Sequence, residues 1–138
     1  MTWKDKMKEF GGGNFTFLSV DGEVIIFIVV GEPRLLHGTF KGKDNDRIGC
    51  PVITDEGYML FICGKRLARK ISKLEKHFET KAIMAVRHGG EGDVNAKYDV
   101  MVVPEKETFD NLVAIKKADF KQAMIAESVK DSAEVLSS

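Results

Sequence analysis

Hydrophobic residues recur along this chain with two different periods. Residues 15–20 and 23–30 are rich in Phe, Val and Ile and predict strands, with an Asp21-Gly22 turn or bulge signal between them. The run at 24–30 is apolar on both faces, which predicts a long, bent, central strand. Gly31-Glu32-Pro33 breaks it, and residues 34–41 predict a second, more polar strand. Residues 42–56 contain Gly42, Asn45, Gly49, Pro51 and six charged residues, and predict a loop. Residues 58–63 predict a third strand. The period then changes. Leu67, Ile71, Leu74 and Phe78 fall at i, i+4, i+7 and i+11, one stripe of a helix. Residues 81–88 and 96–103 predict two further strands around the glycine-rich hairpin loop Gly89-Gly90-Glu91-Gly92-Asp93. On the fourth strand Ala82, Met84 and Val86 point one way; Lys81, Ile83, Ala85 and Arg87 point the other. On the fifth, Tyr98, Val100 and Val102 oppose Lys97, Asp99 and Met101. Each strand therefore has one apolar and one mixed face, as in a half-exposed antiparallel sheet. Pro104 ends the fifth strand.

Both ends of the chain read differently from this middle. Gly11-Gly12-Gly13 cannot be held cheaply in a helix or strand, so residues 1–13 are expected to form a mobile arm. Residues 109–135 have helical composition, with Phe120, Ala123, Met124 and Glu127 on a weakly amphipathic stripe. Residues 128–138 have little apolar surface with which to hold themselves down. Three strands, a helix and two more strands is the order of the five-stranded Greek-key barrel called the OB-fold, although other small barrels and α+β sheets share it. The expected fold is therefore mainly β: an OB-fold domain over 14–104, with the helix between strands three and four and a C-terminal helical, partly disordered extension over 105–138.

Composition narrows the function classes. The chain has 138 residues, 43% of them hydrophobic, which suits one domain with one core. Its 21 basic and 21 acidic residues cancel. The balance is local: residues 1–103 hold 16 basic and 14 acidic residues, and residues 104–138 hold 5 and 7. Residues 64–79 hold six basic residues against two acidic ones, which is either a functional cationic stripe or an ordinary solvated helix face. The longest apolar run, 24–30, is far short of the ~20 residues of a membrane span. The charged stretch 1–10 does not read as a signal peptide. Two cysteines suit a reducing cytosol, so a cytoplasmic location is expected.

Enzymatic chemistry finds little footing. Gly57 and Gly64-Lys65 have the wrong spacing for a phosphate-binding loop, and Arg66 stands where Ser or Thr is needed. Cys50, Cys63, His37 and His77 lack the close ligand pairs of a structural zinc site. The pairs Asp44/Asp46, Asp55/Glu56 and Glu91/Asp93 lie in loops and suit turn chemistry. No catalytic residue, metal or cofactor is assigned. Aromatic residues interleaved with basic ones point elsewhere. Rings stack on unpaired bases while cations track the phosphates, the two needs of single-strand binding. If Leu60 and Ile62 face the core, Phe61 faces out; His37 and Lys41 share a face of the second strand. Arg87 and Lys97 share the mixed faces of strands four and five and would flank one groove. The alternative for Tyr58 and Phe61 is burial, the common fate of strand aromatics.

Several short strings, in order along the chain, carry a resemblance. They are Gly31-Glu32-Pro33 after a long apolar strand, Cys50-Pro51 in the following segment, and Gly64-Lys65-Arg66-Leu67 opening a helix. Then comes Arg87-His88-Gly89-Gly90-Glu91-Gly92-Asp93, followed by Lys97-Tyr98-Asp99-Val100. Over about residues 15–104 this pattern resembles a family of phage and metagenomic single-stranded DNA-binding proteins. The resemblance implies an OB-fold that coats single-stranded DNA during replication and recombination, without catalysis. Some relatives carry a zinc-binding insertion near the Cys-Pro pair; Cys50 has no second cysteine nearby, so that insertion is absent. Many single-strand binders recruit replication proteins through an acidic tail, but here Glu127, Asp131 and Glu134 are interrupted by Lys130.

These readings combine into one expectation. Tyr58 and Phe61 stack on bases. Arg34, Lys41, Lys43, Arg47, Arg87 and Lys97 contact phosphates, and His37 lies at the groove edge. The partners are single-stranded DNA and, through the C-terminal segment, replication proteins or a second copy of the chain, in the host cytoplasm if the protein is phage-encoded; no membrane partner is expected. The rival classes are a protein-interaction or oligomerisation module and a small metal-dependent nuclease.

Overall fold

The computed structural model describes residues 15–37, 39–40, 43–44, 46–90 and 95–136, with side chains for all but 39–40, 43–44 and 133–136. The expected mobile arm at 1–13 and most of the glycine-rich loop after Gly90 lie outside the described residues. Among the described residues the fold is mainly β: an open seven-stranded sheet with three α-helices.

Two long strands form its spine. β6 (Arg47–Thr54) and β7 (Gly57–Cys63) are a hairpin paired from Ile48↔Cys63 to Thr54↔Gly57. The turn between them needs Gly57, whose φ of +103° is strained for any side chain. Most of β6 lies where a loop was expected over 42–56. Gly49 and Pro51 disguised it. A Cβ on Gly49 would come within 2.9 Å of Leu60 Cδ2, so the position calls for glycine because strand β7 crowds it. The Pro51 carbonyl accepts a bond from the Val30 N–H at 2.9 Å, so its missing N–H faces the same side. The β2–β6 ladder stops there, at Val29↔Val52, so the proline stands at a ladder end beside a bulge, where it is tolerated in a strand.

The bulge explains the neighbouring strands. β2 (Val24–Val29) and β3 (Arg34–Leu36) both run antiparallel along the same edge of β6. Val30 sits opposite Pro51 and Arg34 opposite Gly49, so residues 31–33 all oppose Cys50. The sequence 34–41 is thus not a hairpin partner for β2 but its continuation after a kink. That segment stops at Leu36, and Thr39–Phe40 (β4) pairs instead with Lys43–Asp44 (β5) in a small separate hairpin. The expected first strand at 15–20 shrinks to Phe15–Thr16 (β1), parallel to β7.

On the other edge of β2 lies β8 (Ala82–His88), and beyond it β9 (Lys97–Val103). The ladder order is β1-β7-β6-β2-β8-β9. One face carries Phe27, Val52, Phe61, Ile83 and Ala85 and is closed by Leu67 and Ile71 of α1 (Lys65–Ser72), the predicted amphipathic helix. Lys70 Nζ ties α1 to β9 through the Tyr98 carbonyl at 2.6 Å.

The opposite face carries Ile28, Ile53, Tyr58 and Ala82. It is covered by Leu112 of α2 (Lys106–Asp119) and Ile125 of α3 (Ala123–Leu136). The C-terminal segment is therefore a layer of the fold. Within it, residues 128–132 are held by Val129 packed against the core and by polar atoms that hydropathy does not register. Ser128 and Ser132 are fully enclosed. The Ser128 hydroxyl donates to the Ile125 carbonyl at 2.9 Å, which spends its one hydrogen, so the Tyr58 hydroxyl donates to Ser128 Oγ at 2.7 Å. The Phe120 ring, between the helices, lies 5.4 Å from that of Tyr58. α3 also comes so close to the bulge that a Cβ on Gly31 would meet Ile125 Cδ1 at 2.9 Å.

Phe61, expected as a stacking platform, is 0% exposed and packs at 5.6 Å from the Phe27 ring. Removing it leaves a cavity the sheet cannot close. Phe61→Ala is expected to cost ~3–5 kcal/mol in denaturant unfolding; a cost below about 1 kcal/mol, the scale of a surface substitution, would contradict this placement.

Candidate nucleic-acid interface

Two of the expected phosphate contacts come together. Leu36 pairs with Arg47 and Arg34 with Gly49, so Arg34 and Arg47 are diagonal neighbours on one face. His37 follows at the end of β3, where its Nδ1 meets Asp46 Oδ1 at 3.0 Å. Arg34 and His37 are exposed and Arg47 is half-buried. The Arg34 charge reaches the Tyr58 phenol, whose pKa burial raises above its ordinary value while Ser128 and Arg34 oppose the rise. Lys43 lies on β5 close by in sequence, its side chain outside the described set, and Lys41 lies outside the described residues.

Arg87 and Lys97 do not join this group, nor each other. Across the β8–β9 ladder Arg87 opposes Tyr98 and His88 opposes Lys97, so the two cations leave opposite faces of the sheet. Lys97 is exposed, beside a His88–Asp99 contact of 2.7 Å. Arg87 is only 8% exposed. Its Nε donates to the Gly89 carbonyl at 2.8 Å, Nη2 to the Gly90 carbonyl at 2.8 Å and Nη1 to the Tyr98 hydroxyl at 2.6 Å. The guanidinium carbon lies 5.6 Å from the Tyr98 ring centre. The same turn is held from the other side, where Asp21 Oδ1 accepts the Gly89 N–H at 2.9 Å. Arg87 therefore organises the β8–β9 turn and is not available as a phosphate contact. Tyr58 and Phe61 belong to the two core layers, because each face of β7 is covered by its own helical layer. Among the described side chains no Phe, Tyr or Trp is exposed.

The feature that sequence reasoning missed is a cleft of about 480 Å³ between α1 and the bulge. Its floor is Val29, Ile48 and Cys50, its helical wall Ala68, Ile71 and Phe78. Glu32 and Pro33 form one lip, and Lys65, Arg69, Ser72 and Glu75 the other. The two halves come from strings already prominent in the sequence, Gly31-Glu32-Pro33 and the basic helix, but only the fold shows that they face each other. Cys50 Sγ lies 3.8 Å from Cys63 Sγ. The bond from Cys63 moves the Cys50 thiol below its ordinary pKa against the effect of burial, and the Cys63 thiol moves up. A second cavity, about 430 Å³, opens between α2 and the β6–β7 turn. Asp55 and Glu56 line it and no Lys or Arg does, so it repels phosphate.

Among the described residues no three His, Cys, Asp or Glu side chains converge as a metal site, and no helix is long and apolar enough to cross a membrane. No family model matches the chain, and neither the curated proteins nor the solved structures contain a significant match.

Arg87→Ala would strand two turn carbonyls and the Tyr98 hydroxyl. The expected loss is ~1–3 kcal/mol of stability, with Arg87→Lys unable to restore it because one ammonium cannot reproduce the fork. Unfolding midpoints for both variants equal to the parent would show that the turn does not depend on this side chain.

Proposed function

We propose that the protein is a non-catalytic, largely sequence-independent single-stranded DNA-binding protein of the phage replication and recombination type, acting in the cytoplasm. The observation that carries this reading is the ladder. With β2 and β3 counted as one kinked strand, the order is third, second, first, fourth, fifth, with a helix between the third and fourth. That is the strand order of an OB-fold opened between β7 and β9. The neighbouring cations Arg34 and Arg47 support it, since a phosphate backbone is tracked by clustered positive charge rather than by net charge. The resemblance to phage single-strand binders runs through the same elements: the bulge, the start of α1 and the β8–β9 hairpin.

A second reading, a protein-interaction module, draws on apolar surface beside the C-terminal helices. Ile26, Met84 and Met101 are aligned across β2, β8 and β9 on the sheet face that α2 and α3 partly cover, with Val24 and Val86 in the next row. Val24, Ile26 and Met101 are exposed, more apolar surface than a sheet usually shows to water.

Titration with single-stranded and duplex oligonucleotides over a salt series separates the readings. Single strands are expected to bind in clear preference to duplex, with affinity falling steeply as salt rises. Arg34→Ala is expected to weaken binding and reduce the logarithmic salt slope by about 0.7, one phosphate contact on a single strand. Equal affinity for both nucleic acids, or none, would contradict the proposal.

A further inference from the structure

Binding of unpaired bases needs an apolar surface for the ring, yet Tyr58 and Phe61 are enclosed and no described Phe, Tyr or Trp side chain is exposed. The cleft beside α1 supplies such a surface as a recess. Its volume, about 480 Å³, lies within the ~300–1,000 Å³ of ordinary small-ligand sites. Val29, Ile48, Ala68, Ile71 and the half-buried Phe78 ring make the interior apolar. Leu35 pairs with Ile48, shares its face of the sheet, and is 52% exposed, so the apolar floor continues outward along β3.

The mouth is chemically divided. Lys65 and Arg69 stand on the helical lip, with Arg66 exposed on the same helix and Lys73 exposed just after it. Glu32 and Glu75 face the mouth from opposite lips. At neutral pH a carboxylate only accepts hydrogen bonds. Each nucleobase offers at least one N–H on its pairing edge, and that edge is free in a single strand and occupied in a duplex. An apolar slot with acceptors and cations at its mouth therefore matches a base with its flanking phosphates better than a purely anionic or purely apolar ligand. The acceptors also give a reason for weak sequence dependence and for rejection of duplex. The second cavity, whose charged lining residues are the carboxylates Asp55 and Glu56, lacks the cationic half of this match.

We propose that the cleft between α1 and the β2–β3 bulge receives an unpaired base of the single strand, with Lys65 and Arg69 holding the adjacent phosphates. This inference rests on the single-strand-binding reading and gives it a location on the α1 side of the sheet. That face is opposite to the one from which Arg34 leaves.

The test compares variants of the full chain by fluorescence anisotropy of a labelled, mixed-sequence single-stranded oligonucleotide. Ser72 is exposed at the mouth, so Ser72→Trp plugs the cleft from outside without entering the core. The plug is expected to weaken binding about tenfold with an unchanged salt slope. Lys65→Ala/Arg69→Ala is expected to lower the logarithmic salt slope by about 1.4, two phosphate contacts. The control Lys116→Ala/Lys117→Ala, two exposed cations on α2, is expected to change affinity less than about twofold, as for remote exposed charges. Should Ser72→Trp unfold, photo-cross-linking of the parent protein to a 5-iodouracil-substituted strand reports directly: adducts are expected within residues 65–78. Parent-like affinity in a folded Ser72→Trp, equal losses in the cleft and control doubles, or adducts only elsewhere would overturn the proposal while leaving single-strand binding standing. Absence of single-strand binding by the parent would overturn both.

Discussion

The structure turns on the fact that β6 and β7 are apolar on both faces. Residues 49–54 and 58–63 are buried without alternation, so neither side of this hairpin can meet water. A two-stranded ribbon with that pattern must be covered twice. α1 covers one side through Leu67 and Ile71, and α2 and α3 cover the other through Leu112 and Ile125. The hydrophobic gain of burying Phe61, Leu60, Ile53 and Val52, each ~1.5–3 kcal/mol, is available only if both layers are in place. This makes the C-terminal helices part of the fold, and it also fixes where function can sit. Aromatic rings on the central strands are consumed by the core. What remains for a ligand is the rim: the open end of β3, the turns, and the seam where α1 fails to meet the bulge.

The bulge links these features. Three residues opposite one end the β2 ladder at Val29↔Val52, place Pro51 at that end, and leave the cleft between the bulge and α1. Gly31 allows α3 to approach the back of the same kink. The β8–β9 end shows the contrary arrangement. There Arg87, Tyr98 and Asp21 spend their polar atoms on the turn itself, so charge that looks available in sequence is internal to the protein.

Much of this fold was legible, for identifiable reasons. The stripe Leu67, Ile71, Leu74 and Phe78 announces α1 because one helical face is buried and the other solvated. β8 and β9 announce themselves because they are half-exposed and alternate. β6 was hidden because the usual strand breakers sit in it for tertiary reasons, Gly49 beneath Leu60 and Pro51 at the bulge. α3 was undervalued because Ser128 and Ser132 are buried through hydrogen bonds, which a hydropathy pattern does not record. At the candidate site, the register of β3 against β6 brings Arg34 and Arg47 together, a pairing that needs the sheet and not only nearness in sequence. Arg87 and Lys97 were grouped through a register one residue out, which exchanges every face of a strand. The cleft was illegible because its two lips are separated by more than thirty residues and only the β6–β7 hairpin brings them together.

The measurement that bears most directly on this account is a map of backbone amide chemical-shift changes when the full chain is titrated with a single-stranded oligonucleotide. The account predicts changes concentrated at residues 31–35, at Ile48 and along 65–78, with little effect on the exposed faces of α2 and α3. Changes confined to α2 and α3, or to the exposed apolar residues Val24, Ile26 and Met101, would contradict it.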